Sequence, residues 1–270
     1  TMRRMLHEWP ANEPFCFYEA IKHLTLRVGG AVFMGLPLDG ALAQQINRAI
    51  TDEIRASVTP IRQTIPFTPM WYGVRGRDFL RDTFRALIPA RRATGGDDFF
   101  SQMCLATDDN GQSWSEDEIV NQFNLLIMAA HDTTATSLTV MMAALGQHPA
   151  WQKRLVSEVA SLGDGPLDEE KLARMTETDE VFREALRLVP PVPFIPRLAT
   201  RDFHWRGYDI PAGTSSSLNP GPTMLSPDLY TNTTKFDTDR FSPERAEDRV
   251  HRFAWTPFGG GAHKCIGMHF

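Results

Sequence analysis

The residues best placed to do chemistry stand at the end of the chain, in "WTPFGGGAHKCIGMHF", Trp255 to Phe270. Phe258, Gly261, Cys265 and Gly267 follow the spacing F-x-x-G-x-x-x-C-x-G. Glycines this dense let backbone come close to another object without a Cβ in the way. A cysteine behind them, flanked by backbone N–H groups and the start of a helix, has its negative charge stabilised and suits a metal ligand. A buried, inert cysteine behind a flexible turn is the plainer reading of the same residues. Zinc fits poorly, because Cys16 and Cys104 are remote and no second close-spaced pair accompanies His263 and His269. A phosphate loop fits poorly too, since no Lys-Ser/Thr follows the glycines.

Three further constellations lie upstream. "AAHDTTATS" places Asp132 and Thr133 together inside an apolar stretch, where a hydroxyl can bond a carbonyl one turn back and an adjacent carboxylate can carry protons. An ordinary polar patch on an amphipathic helix would look the same. "EALR" gives Glu184 and Arg187 at i, i+3, a spacing that a surface ion pair also has. Arg197, in "PFIPR", could bind a carboxylate through both oxygens or end a strand in solvent.

These residues need elements to hold them. The first 190 residues read as helices. "FCFYEAIKHLTLRV" has helical spacing, and Leu42, Ile46, Ile50, Ile54 and Val58 recur every four in the next helix. Pro60, Pro66 and Pro69 mark a break before a helix in "RDFLRDTFRALIPARR". Ser115 and Glu118 form a capping-box pattern that opens a long helix ending near Gln147. Its apolar stripe reads Ile119, Phe123, Leu126, Ala130, Thr134, Leu138, Met141 and Leu145. About 30 residues is roughly 45 Å of helix, enough to cross a domain. Shorter helices follow to about Val189. Past Pro190 come short strand-like runs around an Arg-Gly turn, then mostly irregular chain from Pro220 to Ala262.

The chain has 270 residues, 42% hydrophobic, with net charge −5. That suffices for a sizeable core, and no basic bias points to nucleic acid. Three scattered cysteines argue against a disulfide framework and for a reducing cytosol. No secretory signal opens the chain, and apolar runs fall short of the roughly 20 residues that span a bilayer. Both ends read as cut: Thr1 opens in what resembles mid-helix, and Phe270 comes just after the candidate ligand. A cytoplasmic location is therefore expected, with a membrane anchor outside this sequence left open.

The cysteine loop closely resembles the haem-binding signature of the cytochrome P-450 family of haem-thiolate monooxygenases. The resemblance covers about Asn121 to Gly267 and extends more weakly before that. It implies a mainly α fold with small β elements around a haem b, one long central oxygen-binding helix, and an axial cysteine thiolate from Cys265. It implies catalytic roles for Asp132 and Thr133 in handling protons, and cofactor-binding roles for Ala129, Arg197, Phe258, Gly261, His263 and Gly267. Ala130 stands where the family has glycine, so its methyl should narrow the oxygen groove. Glu184, Arg187 and Arg240, in "KFDTDRF" with Thr238 in place of proline, are implied to form a structural triad beside Arg245. Phe123, Leu126, Phe194 and Ile195 are candidate pocket walls or core.

The implied reaction puts one atom of dioxygen into a C–H bond of a hydrophobic small molecule. Electrons would come from a ferredoxin or flavoprotein reductase, since no flavin or nicotinamide motif is visible, with Lys264, Arg249 and Arg252 as its docking charges. A peroxide-dependent haem-thiolate enzyme and an inert fragment are the rivals. On the same comparison the chain is one partial domain, residues 1–270, lacking roughly the first third and the C-terminal end of the family fold.

Overall fold

The computed structural model describes residues 2–35 and 40–269. It divides into two units, residues 1–135 and 136–270. In the first, α1 (Met2–His7), α2 (Phe17–Met34), α3 (Gly40–Val58), α4 (Pro69–Arg85), α5 (Ile88–Thr94) and α6 (Phe99–Leu105) precede α7 (Glu116–Gln147), which continues into the second. Leu26, Ile46, Ile50, Leu80, Phe84, Phe100, Phe123 and Ile127 form the core of this unit.

Local sequence explains most boundaries. Thr68 caps α4 by accepting from the Trp71 N–H, and Pro69 occupies its first turn, where a missing N–H costs nothing. The helix thus starts eight residues before Arg77, where the proline-rich break is expected to end, and the chain re-enters as α5 around Pro89. Ser115 and Glu118 close the expected capping box: Ser115 N–H donates to Glu118 Oε2 at 2.8 Å, and Glu118 N–H to Ser115 Oγ at 3.3 Å.

Two apolar stripes differ from expectation. In α3 the buried set is Ala43, Ile46, Ala49, Ile50 and Ala56, while Leu42 and Val58 are exposed. A strict four-residue step overshoots a 3.6-residue turn by about 40°, so the ends of a four-step stripe rotate off the core. In α7 the buried line runs through Val120, Phe123, Ile127, His131 and Ala135, and Thr134 is exposed. α3 and α4 meet at main-chain distance: a Cβ on Gly73 would lie 2.2 Å from Ala56 Cβ, and one on Gly76 would lie 2.8 Å from the Ala49 carbonyl oxygen.

The second unit contains the rest of α7, then α8 (Pro149–Ser161), α9 (Glu169–Ala173) and α10 (Thr176–Leu188). Met141, Leu145, Val181, Ala185 and Phe236 make its core. Glu158 of α8 caps α10 from outside, accepting from the backbone N–H groups of Glu177 and Thr178. Strand β1 (Ile195–Leu198) pairs antiparallel with β4 (Ser215–Leu218), setting Arg197 opposite Ser216. Between them β2 (Phe203–Trp205) and β3 (Tyr208–Ile210) form a hairpin whose turn, Arg206-Gly207, has both φ angles positive, the twist that suits a two-residue hairpin. A short α11 (Pro220–Met224) and isolated 3₁₀ turns follow, so residues 225–265 are largely irregular. No described helix is long and apolar enough to cross a membrane.

Candidate functional site

The glycine loop owes its shape to two left-handed residues, Gly259 (φ 70°) and Gly261 (φ 73°). Cys265 N–H donates back to the Phe258 carbonyl at 3.0 Å, closing the loop, and Lys264 N–H donates to Gly261 at 3.2 Å. Cys265 emerges as a free, exposed thiol. A Cβ on Gly261 would meet no protein atom, and one on Gly267 would meet only Cys265 Sγ, at 3.9 Å. Gly259 is packed more closely, its missing Cβ being 3.5 Å from Ile195 Cδ1, which brings β1 to the loop.

The base of the loop is tied to α10. The Phe258 ring packs edge-on against Trp255 at 5.7 Å, and Trp255 Nε1–H donates to the Arg183 carbonyl at 3.1 Å. The Arg183 guanidinium lies over the rings of Phe241 (4.4 Å) and Trp255 (5.1 Å) while pairing with Asp248 at 2.5 Å.

Behind this lies a buried charge network. Glu184, Arg187 and Arg240 are each 0% exposed. Arg187 grips Glu184 with two hydrogen bonds, 2.7 and 2.9 Å, and donates a third to the Met224 carbonyl. Arg240 Nε donates to Glu184 at 3.1 Å, so the three residues singled out in the sequence are brought together. Tyr230 puts its ring beneath both guanidinium groups, at 5.0 and 5.7 Å.

Sequence reasoning missed a fourth member, Glu247. It accepts from Arg240 at 2.7 Å, from Arg245 at 2.7 and 3.2 Å, and from the Thr231 hydroxyl and N–H. One carboxylate against two buried guanidinium groups would leave a net positive charge out of water, and Glu247 cancels it. Only its position two residues after Arg245 hints at this. Thr238, also buried, leaves its hydroxyl without a partner, a cost that the implied proline would not carry.

Burial alone would raise the Glu247 carboxyl, but the hydrogen bonds from Arg245, Thr231 and Arg240 overcome it and hold the group at about 2 instead of 4.5. A depressed folded value favours the ionised form in the fold. The stabilisation is therefore complete above about pH 4.5 and lost as pH falls toward 2. Unfolding midpoints of the wild type and Glu247→Gln should differ near pH 7 and converge on acidification. A gap that persists undiminished near pH 2.5 would show that charge is not what Glu247 contributes.

Arg197 is half-buried and its Nη1 donates to the carbonyl of neighbouring Pro196; no described carboxylate pairs with it. His263 is exposed on the loop. Around these groups Ile266 (89%), Leu198 (64%) and Phe194 (61%) are unusually open to solvent for apolar side chains.

The other candidates stand in the first unit, on α7. Thr133 Oγ1–H donates to the Ala129 carbonyl one turn back at 2.6 Å, and the α-helix runs through without interruption. Ala129 is exposed and Ala130 half-buried. Asp132 Oδ1 accepts from the Tyr18 hydroxyl at 3.0 Å and faces Lys22 Nζ at 3.7 Å. His131 is buried between Thr25 (Nδ1, 3.0 Å) and Asn47 (Nε2, 3.0 Å). Burial, reinforced by Lys22, lowers it to about 4, so its ring is neutral near pH 7. Phe123 is not a pocket wall: it is fully buried among Phe84 (4.9 Å) and Phe100 (4.6 Å). Leu126 packs on the same core.

This donor set fits a haem. A single free thiol projects from a loop with a bare glycine face. Apolar side chains stand open beside it, and Arg197, which pairs with no described carboxylate, is available for a carboxylate arm. Among the described residues no cluster of three His, Cys, Asp or Glu could hold a metal ion in a cage of protein ligands.

Comparison with known proteins agrees with this chemistry. Residues 21–270 match the family model described as Cytochrome P450. A Mycobacterium tuberculosis protein named "Putative cytochrome P450 136" is 40% identical over 99% of this chain and 55% of its own length. Pentalenene oxygenase of Streptomyces avermitilis is 30% identical over 92% of this chain and 57% of its own. Among solved structures, retinoic acid-bound cyanobacterial CYP120A1 superposes with a TM-score of 0.90 at 29% identity, covering 98% of this chain and 60% of that one. The chain thus spans a little over half the length of these curated relatives.

Proposed function

Given that the chain belongs to the cytochrome P450 family, we propose that it is the oxygen-activating part of a haem-thiolate monooxygenase. The proposed reaction inserts one oxygen atom from dioxygen into a hydrophobic organic molecule. The observation that carries the reading is Cys265: a free, exposed thiol on a left-handed glycine loop, braced from α10 through Phe258 and Trp255. Thiolate-bound haem iron supplies the activation of dioxygen and the cleavage of its O–O bond.

The chain's own residues supply the rest. Cys265 gives the thiolate, and Arg197 and His263 bind the carboxylate arms. Gly261 and Gly267 would keep Cβ atoms from crowding the cofactor on the thiolate loop, and Ala129, with only a methyl, would leave room on α7. The Thr133 hydroxyl donates its proton to the Ala129 carbonyl, which fixes the orientation of its oxygen on α7. Asp132 carries protons from solvent to that hydroxyl. A relative named pentalenene oxygenase and a similar structure with retinoic acid bound support a hydrocarbon-rich substrate. Arg249, Arg252 and Lys264 are exposed, and no described carboxylate pairs with them, which suits an acidic electron-donor protein.

The test is turnover of the haem-loaded protein with a reductant and a ferredoxin or flavoprotein partner. Thr133→Ala should lower product per electron at least about tenfold, with the missing electrons recovered as hydrogen peroxide. Charge reversal at Arg252 should slow haem reduction and leave the thiolate spectrum unchanged. Turnover with hydrogen peroxide but none with reductant and partner would favour a peroxide-dependent enzyme. Failure to take up haem would favour an inert fragment.

A further inference from the structure

α2 has no evident reason to bury a charge, yet Lys22 is 4% exposed. Its ammonium donates to Thr51 Oγ1 of α3 at 2.9 Å, and Thr51 in turn donates to the Asn47 carbonyl. The only described carboxylate within 4 Å is Asp132, at 3.7 Å. One turn earlier on the same face, Tyr18 donates its hydroxyl to the same atom, Asp132 Oδ1, at 3.0 Å. The Lys22 ammonium also lies 5.3 Å above the Tyr18 ring, so the two side chains brace each other. The next residue back along α7, His131, is fixed from both sides by Thr25 of α2 and Asn47 of α3.

The two oxygens of Asp132 are therefore unequal. Oδ1 takes both contacts, while Oδ2 has no hydrogen-bond partner among the described residues and the side chain keeps 26% of its surface open. We propose that Tyr18 and Lys22 are positioning residues for Asp132: they anchor Oδ1 and leave Oδ2 as the oxygen that takes up and releases the proton. This rests on the reading of Asp132 as the proton carrier. Mere support of the helix would not require two donors from α2 on one oxygen. The N-terminal turn of α7 has its own capping box, and the core around Phe123 packs it without them. Tyr18 also lies in the first turn of α2, whose N-cap residue Cys16 makes no side-chain hydrogen bond. The hydroxyl contact therefore stands where a helix frays most easily.

The test is a double-mutant cycle in the haem-loaded, full-length protein. Tyr18→Phe, Lys22→Met and Lys22→Arg are each made in the wild-type and Asp132→Asn backgrounds. Product formed per electron consumed is read beside the infrared carboxylate band of aspartate-labelled protein. The expected result is that Tyr18→Phe lowers product per electron about tenfold in the wild type and has no further effect on Asp132→Asn. Lys22→Arg should preserve more of the yield than Lys22→Met. The carboxylate band should shift in Tyr18→Phe, with no matching change between Asp132→Asn and the double variant. An equal loss in both backgrounds, or an unshifted band, overturns the proposal. If Asp132→Asn alone leaves product per electron unchanged, the proton-carrier role fails. The band shift then still decides whether Tyr18 and Lys22 hold Oδ1, and should Lys22→Met not fold, Lys22→Arg and Tyr18→Phe decide it alone.

Discussion

Cys265→Ser in the haem-loaded protein should eliminate the thiolate-dependent absorption band of the reduced, carbon monoxide-bound form and with it all oxygen insertion. Serine keeps the size and hydrogen-bonding reach of cysteine, so the loop, closed by the Cys265 N–H to Phe258 carbonyl bond, should persist. What disappears is the soft, electron-donating sulfur, and a hydroxyl does not replace it as a ligand. Secondary structure by circular dichroism should be unchanged, separating a chemical loss from a folding one. A variant that keeps both the band and turnover would remove Cys265 from the mechanism.

Arg240→Met should be the most destabilising single change in the second unit. Arg240 is fully buried and satisfies Glu184 and Glu247 as well as the Thr231 and Lys235 carbonyls. Methionine fills much of the volume but leaves two carboxylates facing each other without their shared cation. Breaking a buried pair from one side costs about 3–5 kcal/mol. For a chain of this size that corresponds to a fall in thermal midpoint on the order of 10 °C. Differential scanning calorimetry checks it. A double replacement, Arg240→Met with Glu247→Gln, should recover part of the loss, because the surplus negative charge goes with it. If the single variant melts within a degree or two of the wild type, the network does not hold the loop.

The parts of this site that were legible in the sequence share one property: their meaning is local. Spacing among Phe258, Gly261, Cys265 and Gly267 is fixed by a single loop, and Ser115 with Glu118 by a single helical turn. The Glu184–Arg187 pair is also local, and its third partner was found only because the family resemblance supplied it. Glu247, Tyr18 and Lys22 carry no such mark. Each becomes meaningful through a neighbour contributed by a different stretch of chain, and Lys22 stands among Glu19, His23 and Arg27 of the same helix with nothing in the sequence to set it apart.

Phe123 carried two readings, pocket wall or core, and the structure decides for the core. Being one to two turns before a functional motif suggested a pocket wall, but its side chain turns toward Phe84 and Phe100. Helix phase, not sequence distance, decides which face a residue serves. The same reasoning explains why Leu42 and Val58 fell outside the core.

The contact of α3 with α4 through Gly73 and Gly76 has a mechanical consequence. Backbones in touch cannot slide or tilt past one another without collision, so the two helices must travel as one stiff plate. Any breathing of that part of the molecule is then concentrated in residues 59–68, where Phe67 already holds a left-handed backbone that its side chain disfavours. Ligand-dependent variation between otherwise alike relatives should collect in that ten-residue strip, while the plate itself keeps a constant thickness.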